Sequence, residues 1–152
     1  MPTTDWPLVE IGREGELAKT AQYLLRHRGF DVEADAVIGP VAEAAIKDFQ
    51  ESENLQADGI LGDQTWPRLI VQLQQGSGGD AVRAVQGQLV LRDLPETKTL
   101  AVDGEFGPGT DAGVRAFQKA LNDQNYLTTA VDGIVGAVAW HALVANFLGP
   151  DV

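Results

Sequence analysis

His27 and His141 are the only histidines in the sequence, and they stand in unrelated local contexts, so neither an HExxH helix nor a paired-histidine zinc site can be written. The chain has no cysteine, which removes disulfides, thiolate metal sites and thiol nucleophiles together. Ser52 and Ser77 are its only serines, and neither sits in a GxSxG turn. Ser77 falls in "QQGSGGD", whose composition suits a flexible linker better than a nucleophile elbow or a phosphate loop. A pair of carboxylates for glycoside cleavage can be drawn from the 22 acidic residues, but sequence does not give their separation. "DGEFGPGTD" lacks the ligand spacing of an EF-hand loop. The expectation is a protein that is not an enzyme, with no cofactor and no metal.

Composition narrows the partners. With 22 acidic and 11 basic residues the formal charge is −11, and the basic residues are scattered, which disfavours phosphate backbones and anionic headgroups. No nucleic-acid partner is expected. No apolar run approaches the roughly 20 residues that span a bilayer, so no membrane insertion is expected either. The opening "MPTTDWPLVEIG" has neither the basic n-region nor the apolar h-region of a signal peptide. Export by another route, a leader already removed, and an interior location are all consistent with it.

The remaining pattern is a repeat. "GELAKTAQYLL" from Gly15 aligns with "GDAVRAVQGQL" from Gly79 at an offset of 64, superposing Gln22 on Gln86. "DAVIGP" from Asp35 aligns with "DGEFGP" from Asp103 at 68, and "DGILGDQTW" from Asp58 with "DGIVGAVAW" from Asp132 at 74. The growth of the offset places insertions of four and six residues in the second copy, within the polar stretches "LRDLPETKTLA" and "LNDQNYLTTA". The organisation read from this is a lead-in over 1–14, a first repeat over 15–75, a linker over 76–79 and a second repeat over 78–148, each repeat with its own core.

Each repeat carries three helical patterns. Leu17, Ala21, Leu24 and Leu25 form one apolar face, with Gly29 as a stop after a basic helix end, Arg26-His27-Arg28, that suits solvent and the helix dipole. Pro40 and Pro108 occupy the favoured first helical position of the second pattern, whose stripe is Ala42, Ala45, Ile46 and Phe49. Trp66, Leu69, Ile70 and Leu73 form the third, repeated as Trp140, Leu143, Val144 and Phe147. No period-2 segment of useful length occurs, so the class is all-α. Between helices, an Asp side chain accepts nearby backbone N–H groups while the following glycine takes positive φ. Ala36 stands where the other loops have glycine, at a cost of roughly 1 kcal/mol if φ is positive there.

Taken together, "DGxFGPxT", "FQ" and "DGIxGxxTWxxL" resemble the peptidoglycan-binding module of the PGBD-like family, found attached to bacterial cell-wall amidases, carboxypeptidases and endolysins. The resemblance covers nearly the whole chain and implies two tandem three-helix modules with Asp-Gly loop connections. Ala36, Asp63, Ala137 and Gly113 depart from the family pattern, which bears on affinity more than on fold. The function implied is non-catalytic binding to peptidoglycan, through its glycan or stem peptide, by a monomer at the cell wall or outside the cell, with a cell-wall hydrolase or envelope protein acting in trans. The alternative is a protein-interaction adaptor in a secretion, phage-like or envelope assembly, with a cytoplasmic location. A protease-propeptide role is disfavoured because its switch cysteine is absent.

Candidate contact residues each have a structural reading beside the functional one. Asp58, Asp103 and Asp132 serve as loop staples or ligands. Trp66 and Trp140 serve as core, or present an indole edge to a sugar or acyl chain. Gln118, like Gln22, Gln50 and Gln86, binds either loop backbone or a ligand. Tyr126 and Leu127, in the longer loop of the second repeat, are the least explained by packing. With the stretch Arg92 to Thr99 they are expected to flank a groove lined by Phe106 or Trp140, which assigns principal recognition to the second repeat.

Overall fold

The computed structural model describes residues 5–150. It contains helices α1 (Glu16–His27), α2 (Pro40–Ser52), α3 (Trp66–Leu69), α4 (Asp80–Val90), α5 (Pro108–Asp123) and α6 (Ala137–Val144). Among the described residues there are no strands, only four isolated bridges, and these repeat as the sequence does. Val9 pairs with Leu61 as Leu73 pairs with Val135, and Glu14 pairs with Val37 as Gly78 pairs with Glu105. Residues 7–14 therefore belong physically with α1–α3 (module 1), and residues 71–78 with α4–α6 (module 2). Residues 1–4 of the expected lead-in lie outside the described residues.

Both second helices begin at proline, as expected, with Gly39 and Gly107 as N-caps. The third stripe is corrected. In module 1 the helix covers only Trp66–Leu69, Ile70 turns extended at φ −66° and ψ 157°, and Leu73 packs with module 2. The physical reason is an arginine. Arg28 donates from Nη2 to the carbonyls of Arg68 at 2.9 Å, Leu69 at 3.0 Å and Ile70 at 2.8 Å, so its guanidinium satisfies carbonyls that another helical turn would have used. Arg92, its counterpart at the offset of 64, donates to Leu143 O at 2.7 Å, Ala142 O at 3.3 Å and Phe147 O at 3.0 Å. Arg28 is thus a cap for a different helix, not a free basic end. Arg92, assigned to a surface loop, is only 4% exposed.

The expectation of two separate cores is also corrected. The buried apolar residues of both modules form one contiguous cluster. Helices α1 and α4 run antiparallel across the seam, since Arg26 at the end of α1 pairs with Asp80 at the start of α4 at 3.3 Å, while Glu16 at the start of α1 lies over Gly87 near the end of α4. The Glu16 carboxylate occupies the space that a Cβ at position 87 would need, so a larger residue there would turn this flexible side chain aside. Burial at this seam raises the Glu16 pKa. Between these ends a buried polar chain crosses the interface. Arg92 Nη1 donates to Gln88 Oε1 at 2.9 Å, Gln88 Nε2 to Thr20 Oγ1 at 2.8 Å, and Thr20 Oγ1 to Glu16 O at 2.9 Å. The lead-in adds a second tie: Trp6 stacks on Trp66 at 6.1 Å and meets His141 of module 2 edge-on at 4.9 Å.

Candidate functional site

The four inter-helix loops share one construction, and glutamine is its centre. In the loop at Asp103, Gln86 Oε1 accepts the amides of Asp103 at 3.0 Å and Gly104 at 2.9 Å, while Nε2 donates to Asp103 Oδ1 at 3.0 Å and Glu105 O at 3.0 Å. Asp103 Oδ1 in turn accepts the amide of Glu105 at 2.9 Å, closing an Asx turn. Gln118 does the same for Asp132, Gly133 and Ile134. In module 1 Gln50 and Gln22 make the same two donations, to Asp58 and Ile60 and to Asp35 and Val37, while Oε1 of each accepts one amide, that of Gly59 or Ala36. Thr110 and Thr65 add a further acceptor to Gln86 and Gln50, each at 3.0 Å. Each glutamine sits on the buried face of its helix, so the helix stripe that packs the core also aims the amide at the loop.

These bonds tune the carboxylates. The Glu105 amide and Gln86 hold Asp103 below the ordinary aspartate range, the Ile134 amide does so for Asp132, and Gln22 with the Val37 amide does so for Asp35. Positive φ occurs at the same place in all four loops, at Gly59 (76°), Gly104 (79°), Gly133 (76°) and Ala36 (68°). Ala36 thus uses the shared turn and carries its strain.

Most sequence candidates are already engaged in the fold. Trp66 and Trp140 are fully buried, with indole N–H groups donating to Pro7 O at 2.8 Å and Val71 O at 2.7 Å. Phe106 and Gln118 are buried as well. A groove lined by Phe106 or Trp140 therefore does not form, because neither ring has an open face. Asp58, Asp103 and Asp132 reach solvent, but each commits Oδ1 to its own loop. Tyr126 is 37% exposed and lies 5.5 Å from the Phe147 ring, with Leu127 half-buried beside the core.

The insertions behave as local structure. The six-residue one lengthens the second helix from 13 residues in α2 to 16 in α5 and is tied by Asn122, which exchanges two 2.8 Å hydrogen bonds with the Thr129 backbone. The four-residue one folds Thr97 fully into the protein. Sequence reasoning missed an open cleft of about 500 Å³ in module 1, between residues 31–37 and the start of α2, lined by Asp31, Glu33, Asp35, Val37 and Val41. Its one sequence signal is the absence of the four extra residues from the first repeat. Among the described residues no group of three or more His, Asp or Glu side chains is arranged to hold a metal, and no helix is long and apolar enough to cross a membrane.

Residues 14–69 and 78–143 each match the peptidoglycan binding domain family. The chain belongs to this family, in two tandem copies. Among curated relatives of this peptidoglycan binding domain protein, the zinc D-Ala-D-Ala carboxypeptidase of Streptomyces albus G is 34% identical over 113 residues, covering 74% of this chain and 40% of that enzyme. An uncharacterized protein in the bpoA1 3′ region of Kitasatospora aureofaciens is 34% identical over 79 residues, covering 49% of this chain and 65% of that protein. The chain thus spans less than two thirds of either relative. A crystal structure of a peptidoglycan-binding protein from Clostridioides difficile in complex with glutamine hydroxamate aligns at 35% identity over 41% of this chain and 40% of that one, with a TM-score of 0.41.

Proposed function

We propose that this chain is a non-catalytic peptidoglycan-binding protein that holds itself, and any partner joined to it, on the bacterial cell wall. The observation that carries the reading is the presence of two family modules over most of the chain, fused into one body by the α1–α4 seam. A fused body presents its binding surface rigidly to a polymer that repeats its motif, without the entropy cost of ordering a flexible linker. The ligand is the glycan or the stem peptide, the protein acts as a monomer, and catalysis belongs to a wall hydrolase in trans, a role suggested by the carboxypeptidase relative. One carboxylate oxygen of each loop aspartate is committed within the fold, so apolar contact and shape are expected to supply most of the affinity.

The test is co-sedimentation with purified sacculi. The protein is retained, binding is unchanged or improved from low to moderate salt because the net charge of −11 opposes an anionic wall, and no soluble wall fragments are released. Protein that stays in the supernatant under all conditions while a lysate protein co-purifies with it would replace this reading with the adaptor one. Release of fragments would overturn the non-catalytic part.

A further inference from the structure

The modules differ most over the exposed side of their second helices. In module 2 the four extra residues fold back onto α5: the Thr97 methyl lies 3.4 Å, and the Glu96 carbonyl 3.5 Å, from where a Cβ on Gly113 would stand, and Leu100 Cδ1 lies 3.7 Å from that of Gly109. Thr97 is held there by the Leu94 amide, which donates to its Oγ1 at 3.1 Å. The equivalent positions in module 1 are Ala45, itself only 6% exposed beside Phe30 and Asp31, and Val41. Val41 is 66% exposed, and the cleft beside it continues over Ala44 and Ala45 toward Asp48. Residues 96–100 of module 2 lie on α5 itself, whereas the module 1 surface around Val41 stays open.

We infer that the cleft of module 1 binds a short peptide bearing an aliphatic side chain that ends in an ammonium group. Charge selects the cation. Asp31, Glu33 and Asp35 line the cleft and no lysine or arginine does. None of the ion pairs among the described residues uses these three, and the nearby Arg26 and Lys47 are engaged with Asp80 and Glu43. Val37 and Val41, 44% and 66% exposed, supply the apolar wall along which the methylenes of such a side chain lie. The inference rests on the wall-binding reading only for the source of the peptide, since stem peptides built on a diamino acid carry this group. One ammonium contact leaves the salt response of sacculus binding to the net charge of the whole protein.

The experiment titrates the ¹⁵N-labelled full chain with acetyl-L-Ala-D-isoglutaminyl-L-Lys amide and with the same peptide acetylated on its side-chain amine. Saturable amide shifts confined to residues 30–45 are expected, with at least a tenfold loss of affinity on acetylation and a similar loss in the Asp31→Asn, Glu33→Gln double variant. Val41→Arg, at an exposed position, abolishes the shifts while leaving the spectrum of module 2 unchanged. Absence of shifts, equal shifts over residues 94–113, or equal binding of the acetylated peptide overturns the inference. Sacculus sedimentation separates the two readings: a protein that sediments but ignores the peptide loses the cleft and keeps the wall, and one that binds the peptide but does not sediment loses the wall and keeps the cleft.

Discussion

Modules 1 and 2 carry the same loops, the same tryptophan and the same capping arginine, yet they use their surroundings in opposite ways. The longer loops of module 2 suggested extra binding surface, and the structure turns the first of them inward, closing a face that module 1 leaves open. The arginines show the same asymmetry. Arg28 caps α3 from an exposed position, whereas Arg92 caps α6 at the inter-module seam, its guanidinium 5.2 Å over the Phe117 ring, and desolvation lowers its pKa to about 10. It stays protonated at neutral pH because backbone carbonyls and Gln88 replace the lost water. The comparison teaches that an insertion or a charge in one copy of a repeat can be spent within the fold, packing its own module or capping a helix at the seam, and not on a ligand.

The strongest challenge to this view of a fused pair is Trp66→Ala set against Trp140→Ala. Each removes a fully buried indole and is expected to cost about 3–5 kcal/mol. Because the core is contiguous, calorimetry of either variant should show one shifted transition. A module that still melts at the wild-type temperature would mean that the two copies fold independently.

Next in size is the arginine pair. Arg92→Ala leaves buried carbonyls and Gln88 without their donor and is expected to cost about 3 kcal/mol, while Arg28→Ala, at a solvated cap, costs about 1 kcal/mol or less. Equal losses in urea unfolding would remove the distinction between seam and surface.

A smaller effect comes from the stapled carboxylates. Asp35, Asp103 and Asp132 have folded pKa values below the ordinary one, so their contribution is fully present above about pH 4, the unfolded value, and is lost as pH falls through the folded values. Melting temperature should therefore fall steadily below about pH 4. Asp103→Asn should flatten that slope while lowering stability at pH 7. Glu16, raised by burial, acts with the opposite sign, and its gain is complete once pH reaches the unfolded glutamate value, before the aspartate loss begins. A wild-type acid limb no steeper than that of the variant would contradict the staple.

The smallest expected change is a gain. Ala36→Gly relieves a left-handed alanine worth about 1–2 kcal/mol against the added backbone entropy of glycine, about 0.5–1 kcal/mol, for a net stabilisation of roughly 0.5 kcal/mol. Gly104→Ala, at the matching position, should do the reverse, since its φ of 79° strains any residue with a Cβ. If both substitutions are neutral, the loops are not under the shared constraint.

Much of the fold was legible because it is local. Proline at the second-helix starts, Asp-Gly turns and the stripes of the first two helices each depend on a few neighbouring residues, and each recurs in the second copy. The glutamines were noticed but left between loop and ligand, since only the fold brings Gln86 to Asp103 across 17 positions. The site was less legible. Trp66 and Trp140 present the same pattern whether an indole edge is open or closed, and the Pro7 and Val71 carbonyls that close them arrive from far along the chain.

By itself, the sequence determined an all-α chain of two copies, the turn at each Asp-Gly loop and the family to which it belongs, because these follow from backbone preferences and periodicity. Only the tertiary structure decided that the copies share one core, that Arg92 is buried, and that the four-residue insertion seals module 2 while module 1 keeps its cleft. Those outcomes depend on which surfaces meet. Glu16 of α1 lies over Gly87, Thr97 packs on Gly113, and the free energy of excluding water from both contacts belongs to pairs of distant segments and to neither segment alone.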